Sequence, residues 1–378
     1  MANRHRIAFL AVMLAAQCCA AAASPWTASK AATAGDLVEK FLRSEGDNAP
    51  PALSLALGLN GELVMAKGYG EAVHGQPADE LTVYHIGSVT KQFTAAAVLD
   101  LVDRRAFAIL SAKPLALESE VGAFFEGFDH WADQDGKPVT VRRLLNMTSN
   151  LPNITRRPPP NADPWGAIAA PELLGEIRKL SPHGWPDTFE YSNTSYFLLA
   201  EILEAVIVPG ERELKSYRER LQTFVFERAG MSSTGFIGAY APASRVAEPR
   251  YRRRPAFTER DWLKGSADVA SNAVDLHAWN KALMEGRILR QSKLALMFSE
   301  GGRVGPALWY GMGAFVEHTP ERAAYTHSGS VPGFTAFNAI YRRNDGSDWA
   351  SVSLLTNSDG VEGLNQLASD LGDLLLAD

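Results

Sequence analysis

Apolar and polar residues alternate most regularly toward the two ends of this chain. Near the start, Ala52-Leu53-Ser54-Leu55-Ala56-Leu57-Gly58 and Glu62-Leu63-Val64-Met65-Ala66-Lys67-Gly68-Tyr69-Gly70 flank Asn60-Gly61, which predicts a β-hairpin. Near the end, Phe334 to Tyr341 and Trp349 to Thr356 are strand-like around Asn344-Asp345-Gly346, and a helical tail runs from Val361 to Leu376. An amphipathic segment from Asp36 to Arg43 precedes the first hairpin. A second helix, Gln92 to Val102, is apolar almost all round, which is how a helix buried inside a domain reads. From about Leu115 to Arg303 the pattern is helices and long loops with few strand runs. These elements predict an α/β protein of the α+β type, in which an antiparallel sheet built from both chain ends is flanked by helices and a mostly helical region is inserted between its halves. The sheet part takes in about 35–110 and 305–378, the helical part about 111–304, within one domain over 30–378.

The chain has 378 residues, 46% hydrophobic and 21% charged, which is ordinary globular composition with room for one large or two medium domains. The first residues change that picture. Arg4, His5 and Arg6 precede an uncharged stretch from Ile7 to Ala23 that ends in small residues, the layout of a secretory signal peptide over 1–23 with cleavage after Ala23. An uncleaved anchor is the alternative, since the uncharged run continues to Ser29, but Gln17 and the alanine-rich character count against it. Both cysteines, Cys18 and Cys19, lie inside this segment, so the exported chain would have no disulfide, no thiol nucleophile and no cysteine-ligated metal. Export to the periplasm or the cell exterior follows, with no stable membrane span once the signal is removed.

Net charge is −6, and becomes −8 when Arg4 and Arg6 leave with the signal. That argues against nucleic acid as a partner. The basic cluster Arg250-Tyr251-Arg252-Arg253-Arg254 reads as a solvated loop, and Arg156-Arg157-Pro158-Pro159-Pro160 as an extended surface loop.

Three short motifs carry candidate chemistry. Ser88-Val89-Thr90-Lys91 places an amine three residues after a hydroxyl at the entry to the buried helix. The i, i+3 spacing puts both on one face, and an amine near an apolar interior has a lowered pKa, so Lys91 can serve as base to a Ser88 nucleophile. The alternative is that Ser88 merely caps the helix while Lys91 reaches solvent. Tyr191-Ser192-Asn193 stands before an apolar helix from Tyr196 to Val206, where Ser192, Asn193 or Thr194 can cap. Tyr191 could relay a proton if nearby cations lower its phenol pKa, and Asn193 offers a donor and an acceptor to a substrate amide or to the lysine. In His327-Ser328-Gly329-Ser330, a glycine lets substrate approach the strand closely, the Ser330 amide can join the Ser88 amide at a developing oxyanion, and His327 can attract an acidic substrate group.

Taken in this order and at these separations, Ser88-x-x-Lys91, Tyr191-x-Asn193 and His327-x-Gly329 resemble the three motifs of the penicillin-recognising serine hydrolases. The nearest branch is the class C β-lactamase-like group, which takes in D-alanyl-D-alanine carboxypeptidases and family VIII esterases. The phrases Ile86 to Thr94, Val139 to Ser149 and His327 to Phe334 agree with it, and the similarity spans roughly residues 35–375. The resemblance implies that Ser88 is acylated, that Lys91 and Tyr191 share base and acid duties, and that Asn193 holds substrate and Lys91. It implies further that the amides of Ser88 and Ser330 form the oxyanion hole, with no metal and no organic cofactor. The substrate would be a small molecule or a peptide.

Two departures bear on that substrate. Lactamases of this branch carry a lysine where this chain has His327, and a histidine of pKa near ~6.5 is mostly neutral at pH 7. This favours ester or D-amino-acid peptide substrates over antibiotics, with a class C-type β-lactamase or a non-catalytic scaffold as the alternatives. Thr148-Ser149-Asn150-Leu151 has asparagine in place of a usual glycine, which could alter the cleft rim, where Asn153 could also reach. The elbow Gly-x-Ser-x-Gly and the zinc motif His-Glu-x-x-His are both absent, which excludes an α/β-hydrolase esterase and a zincin peptidase.

Overall fold

The computed structural model describes residues 26–45, 51–156, 168–183, 187–238, 245–250 and 261–377. The leader with Cys18 and Cys19 lies outside the described residues. So do the proline run beyond Arg156 and the basic cluster beyond Arg250.

Eight strands form the main antiparallel sheet: β1 (Leu53–Leu59), β2 (Glu62–Tyr69), β3 (Gly302–Gly305), β4 (Leu308–Tyr310), β5 (Phe315–His318), β6 (Arg322–Val331), β7 (Phe334–Arg343) and β8 (Trp349–Thr356). Their order is β3-β4-β5-β6-β7-β8-β1-β2, so the two ends of the chain meet where β8 pairs with β1 in the register Leu53 to Thr356. The expected architecture is thus the observed one. Every residue of β1 is buried, because both faces of this inner strand are covered, whereas β2 at the edge is half-exposed.

One face is covered by the terminal helices α1 (Ala28–Ser44) and α5 (Leu364–Leu376), whose Val38, Leu42, Leu367, Leu371 and Leu375 pack on Leu55, Leu57, Val352 and Leu354. Helix α1 begins eight residues earlier than the amphipathic pattern predicts. Thr27 caps it by accepting from the Lys30 amide, and its alanine-rich first turns read in the sequence as more of the uncharged leader.

The other face carries α2 (Thr90–Asp103) and α4 (Ala273–Met284); beyond them lies the helical region with α3 (Asn193–Glu204). Phe93 of α2 meets Trp279 of α4 edge-on, with ring centroids 4.8 Å apart. A buried amide cluster ties both helices to the sheet. Asn280 Nδ2 donates to Asn338 Oδ1 (2.8 Å), Asn338 Nδ2 donates to Gln92 Oε1 (2.9 Å), and Ser353 Oγ donates to Asn338 Oδ1 (2.8 Å). Groups buried in this way must be paired, so the cluster admits one seating of α2 on the sheet. It thereby fixes where the start of α2 points.

Candidate active site

Ser88 lies in a single 3₁₀ turn, Gly87–Val89, that leads straight into α2. It does not cap that helix; the cap position belongs to Val89 and has no side-chain bond. Gly87 has φ +51°, and a Cβ on it would stand 2.7 Å from the Ser330 amide nitrogen. Across the gap, a Cβ on Gly329 would lie 1.9 Å from the Ile86 carbonyl oxygen and 3.1 Å from the Ser88 nitrogen. The glycine of β6 is therefore there to admit the Ser88 turn against the strand, a reason different from the substrate approach expected. This contact brings the amides of Ser88 and Ser330 to the same place.

Lys91 is wholly buried and its amine touches three oxygens: Ser88 Oγ at 3.0 Å, Asn193 Oδ1 at 2.7 Å and the Ser266 carbonyl at 2.9 Å. Burial holds its pKa well below 10.5, against a smaller opposing pull from the Asp268 carboxylate. A neutral amine has two N–H bonds and one lone pair. Asn193 and Ser266 accept the two hydrogens, which leaves the lone pair facing the Ser88 hydroxyl.

Asn193 opens α3, where Ser192 occupies the cap position without a side-chain bond. The capping expected of this segment is not made: Ser192 Oγ is buried without a hydrogen-bond partner among the described residues, and the side chains that follow it are drawn into the tertiary structure. Asn193 Nδ2 donates to Thr155 Oγ1 (2.8 Å), Thr194 Oγ1 donates to the Pro152 carbonyl (2.6 Å), and the Ser195 and Ser149 hydroxyls bond each other (2.8 Å).

Tyr191 is half-buried, with the Lys91 amine 4.9 Å from its ring centroid and a side-chain hydrogen bond to Ser88. Its pKa is raised, not lowered as the cation argument anticipates: burial outweighs both the Ser88 bond and the charge of Arg156. Tyr191 is therefore a neutral phenol at every working pH.

His327 is 1% exposed. Its Nδ1 lies 2.6 Å from the Ser328 carbonyl, which can only accept, so Nδ1 carries the proton and Nε2 accepts from the Tyr310 hydroxyl at 3.0 Å. Burial, with the Lys91 amine adding to it, lowers its pKa to about 3. The expectation that His327 attracts a substrate anion does not survive this geometry, since the ring is uncharged and both nitrogens are taken. Asn150 is likewise displaced from its expected place. It is 1% exposed at φ +57°, a conformation that glycine or asparagine adopts with least strain, and Asn153 rather than Asn150 reaches the cavity.

The cavity measures about 760 Å³ and is lined by Ser88, Tyr191, Asn193, His327 and Ser330 together with an apolar set that includes Phe189, Trp262, Leu263, Val304, Phe315 and Val331. It follows the end of β6 where β5, which pairs only with Ala323–Thr326, has stopped. Among the described residues, no strand pairs with 327–331 on that side. Sequence reading missed Ser266, Asp268, Tyr310 and Arg156. Asp268 accepts from Tyr217 (3.0 Å) and from the Gly265 amide (3.2 Å) beneath Lys91, and burial raises its pKa to about 7. A lone acid inside the apolar run Ala267-Asp268-Val269 is the one signal that could have found it.

Residues 36–376 match the family described as Beta-lactamase. The chain belongs to that family. PbpX of Bacillus subtilis (strain 168) is 26% identical over 323 residues, 84% of this chain and 73% of PbpX. The next relatives in similarity are longer, and the chain spans 61% and then 56% of their lengths. Among solved structures, the D-amino acid amidase of Ochrobactrum anthropi SV3 complexed with D-phenylalanine superposes with a TM-score of 0.70 at 22% identity over 91% of this chain and 99% of its own. EstCE1, a hydrolase with promiscuous acyltransferase activity, superposes with a TM-score of 0.72 at 17% identity over 93% of this chain and 100% of its own. At these identities the superpositions establish a shared fold. Among the described residues no helix is long and apolar enough to cross a membrane.

Proposed function

We propose that this chain is an exported serine hydrolase that forms an acyl-enzyme on Ser88 and cleaves ester or amide bonds. The observation that carries the reading is the buried Lys91 amine, with two carbonyl acceptors for its hydrogens and Ser88 Oγ at 3.0 Å. Lys91 takes the Ser88 proton as Oγ bonds to the substrate carbonyl carbon, and the carbonyl electron pair moves onto oxygen, where the Ser88 and Ser330 amides receive it. As the tetrahedral centre collapses, the leaving group takes a proton that returns from Lys91 through the Tyr191 hydroxyl. Water then repeats the sequence on the acyl-enzyme. Being neutral, Tyr191 suits the relay better than it suits the role of base.

Residues 1–23 are the export leader in this reading, and 30–378 one catalytic domain. Within the class, esters and D-amino-acid peptides are the preferred substrates. The third-motif position holds an uncharged His327 in place of a fixed cation, and the open edge of β6 suits a peptide-like backbone. Labelling by a fluorescent fluorophosphonate, lost in Ser88→Ala, tests the nucleophile; a wild type that takes no label would sink the reading. Rates on p-nitrophenyl butyrate, a D-alanyl-D-alanine peptide and nitrocefin then choose between esterase, peptidase and β-lactamase.

A further inference from the structure

Among the described residues, the lining of the cavity beside Ser88 has an unbalanced charge. Of the described residues that line it, Arg156 alone bears a full formal charge, and no carboxylate is among them. The Arg156 side chain is exposed, and no described residue forms an ion pair or hydrogen bond with its guanidinium. Its neighbours at that end are Asn153 and Thr155, which bond each other and Asn193. Its charge acts on the Tyr191 hydroxyl, against the larger effect of burial. His327, where a fixed cation would otherwise be sought, is neutral with both nitrogens bonded.

We infer that Arg156 is the anion receptor of this site, and that the enzyme selects substrates carrying a carboxylate or similar anionic group over neutral ones and rejects those carrying a free ammonium. The inference rests on the reading of Ser88 as an acylated nucleophile and names the substrate class of that site. An ammonium group entering the cavity would meet a cation and no described carboxylate to receive it. A carboxylate would meet a planar donor fork, free to bind both oxygens, beside the polar Asn153 and Thr155, in a cavity whose wall is about half apolar. The wall takes the body of the substrate, and the arginine sets its charge.

Boronic acids that add reversibly to a serine hydroxyl separate the two levels of this claim. Phenylboronic acid, 3-carboxyphenylboronic acid and 3-(aminomethyl)phenylboronic acid are titrated by calorimetry into the wild type, Arg156→Gln and Arg156→Lys. The wild type should bind the carboxylate probe about twofold to fivefold more tightly than the neutral one, in line with an exposed ion pair, and the ammonium probe most weakly. Arg156→Gln should erase the ranking, Arg156→Lys should keep part of it, and raising the salt should compress it in the wild type. Equal affinity of the wild type for all three probes would overturn the assignment of Arg156, as would an unchanged ranking in Arg156→Gln. If no probe binds and Ser88 takes no fluorophosphonate, the hydrolase reading itself is wrong and this inference falls with it.

Discussion

Replacing Lys91 with methionine removes the amine and keeps a stem of similar length in a site with no exposure. The general base contributes about 10²- to 10⁴-fold to acylation, or about 2.7–5.4 kcal/mol of barrier at 1.36 kcal/mol per decade. On stability the variant loses on one side and gains on the other. Asn193 Oδ1 and the Ser266 carbonyl each lose a donor, at about 1–3 kcal/mol apiece, while the cost of desolvating the amine disappears. The fold should therefore persist, as checked by circular dichroism and Tm. The rate constant for acylation, read from the burst of p-nitrophenol released by p-nitrophenyl butyrate, is followed from pH 5 to 10. In the wild type the neutral amine is the active form, so the rate rises with pH through the depressed Lys91 pKa, well to the acid side of 10.5, and is level above it. Lys91→Met should lose both the rate and this limb. Acylation within tenfold of wild type, with the limb still present, would refute the assignment of Lys91 as base.

Gly329→Ala would drive a methyl group to 1.9 Å from the Ile86 carbonyl and force the Ser88 turn off β6; a loss of about 10²-fold in kcat with about 1–3 kcal/mol of stability is expected, and a fully active variant would refute the need for that approach. Asn338→Ala strips partners from Asn280, Gln92 and Ser353 and should cost about 3 kcal/mol or more in urea unfolding; a loss below about 1 kcal/mol would mean the cluster does not hold α2 in place. His327, with a pKa of about 3 folded against ~6.5 unfolded, contributes stability that is whole above pH 6.5 and is lost as pH falls toward 3, about 2 kcal/mol of it by pH 5. His327→Gln should flatten the acid side of the stability profile by that amount, and an unchanged slope between pH 7 and 5 would count against the buried neutral ring.

What was legible in the sequence followed the range of each interaction. The hairpin over Asn60-Gly61 and the strands around Asn344-Asp345-Gly346 are short-range signals, and β1, β2, β7 and β8 lie within two residues of their expected bounds. Ser88 and Lys91 are one helical turn apart, so their contact too could be anticipated. Tyr191, Asn193 and His327 became readable through motif order, and the fold brings all three to the Ser88 cavity. The errors concern burial. The cation argument for Tyr191 leaves out desolvation, which outweighs it; His327, offered as a group that can attract a substrate anion, is sealed between Tyr310 and Ser328. Tyr310, Ser266 and Asp268 act through contacts 17 to 175 residues long, which no local spacing encodes.

Asp268 answers a difficulty that a buried lysine base creates. An amine kept neutral by desolvation takes a proton willingly only if the cation it becomes is not stranded in the same apolar surroundings. The Asp268 carboxylate lies close enough to raise the Lys91 pKa against the larger effect of burial, and its own pKa, at about 7, lets it be charged or neutral near physiological pH. The two groups therefore titrate as a coupled pair rather than singly. In the proposed mechanism, when Ser88 gives up its proton to Lys91, the positive charge that forms gains the attraction of Asp268, whose oxygen is held by Tyr217 and the Gly265 amide and needs no rearrangement to respond. Burial alone disfavours the ammonium form of Lys91 on both sides of the proton transfer. The nearby Asp268 carboxylate offsets part of that cost for the ammonium that forms once the proton has moved.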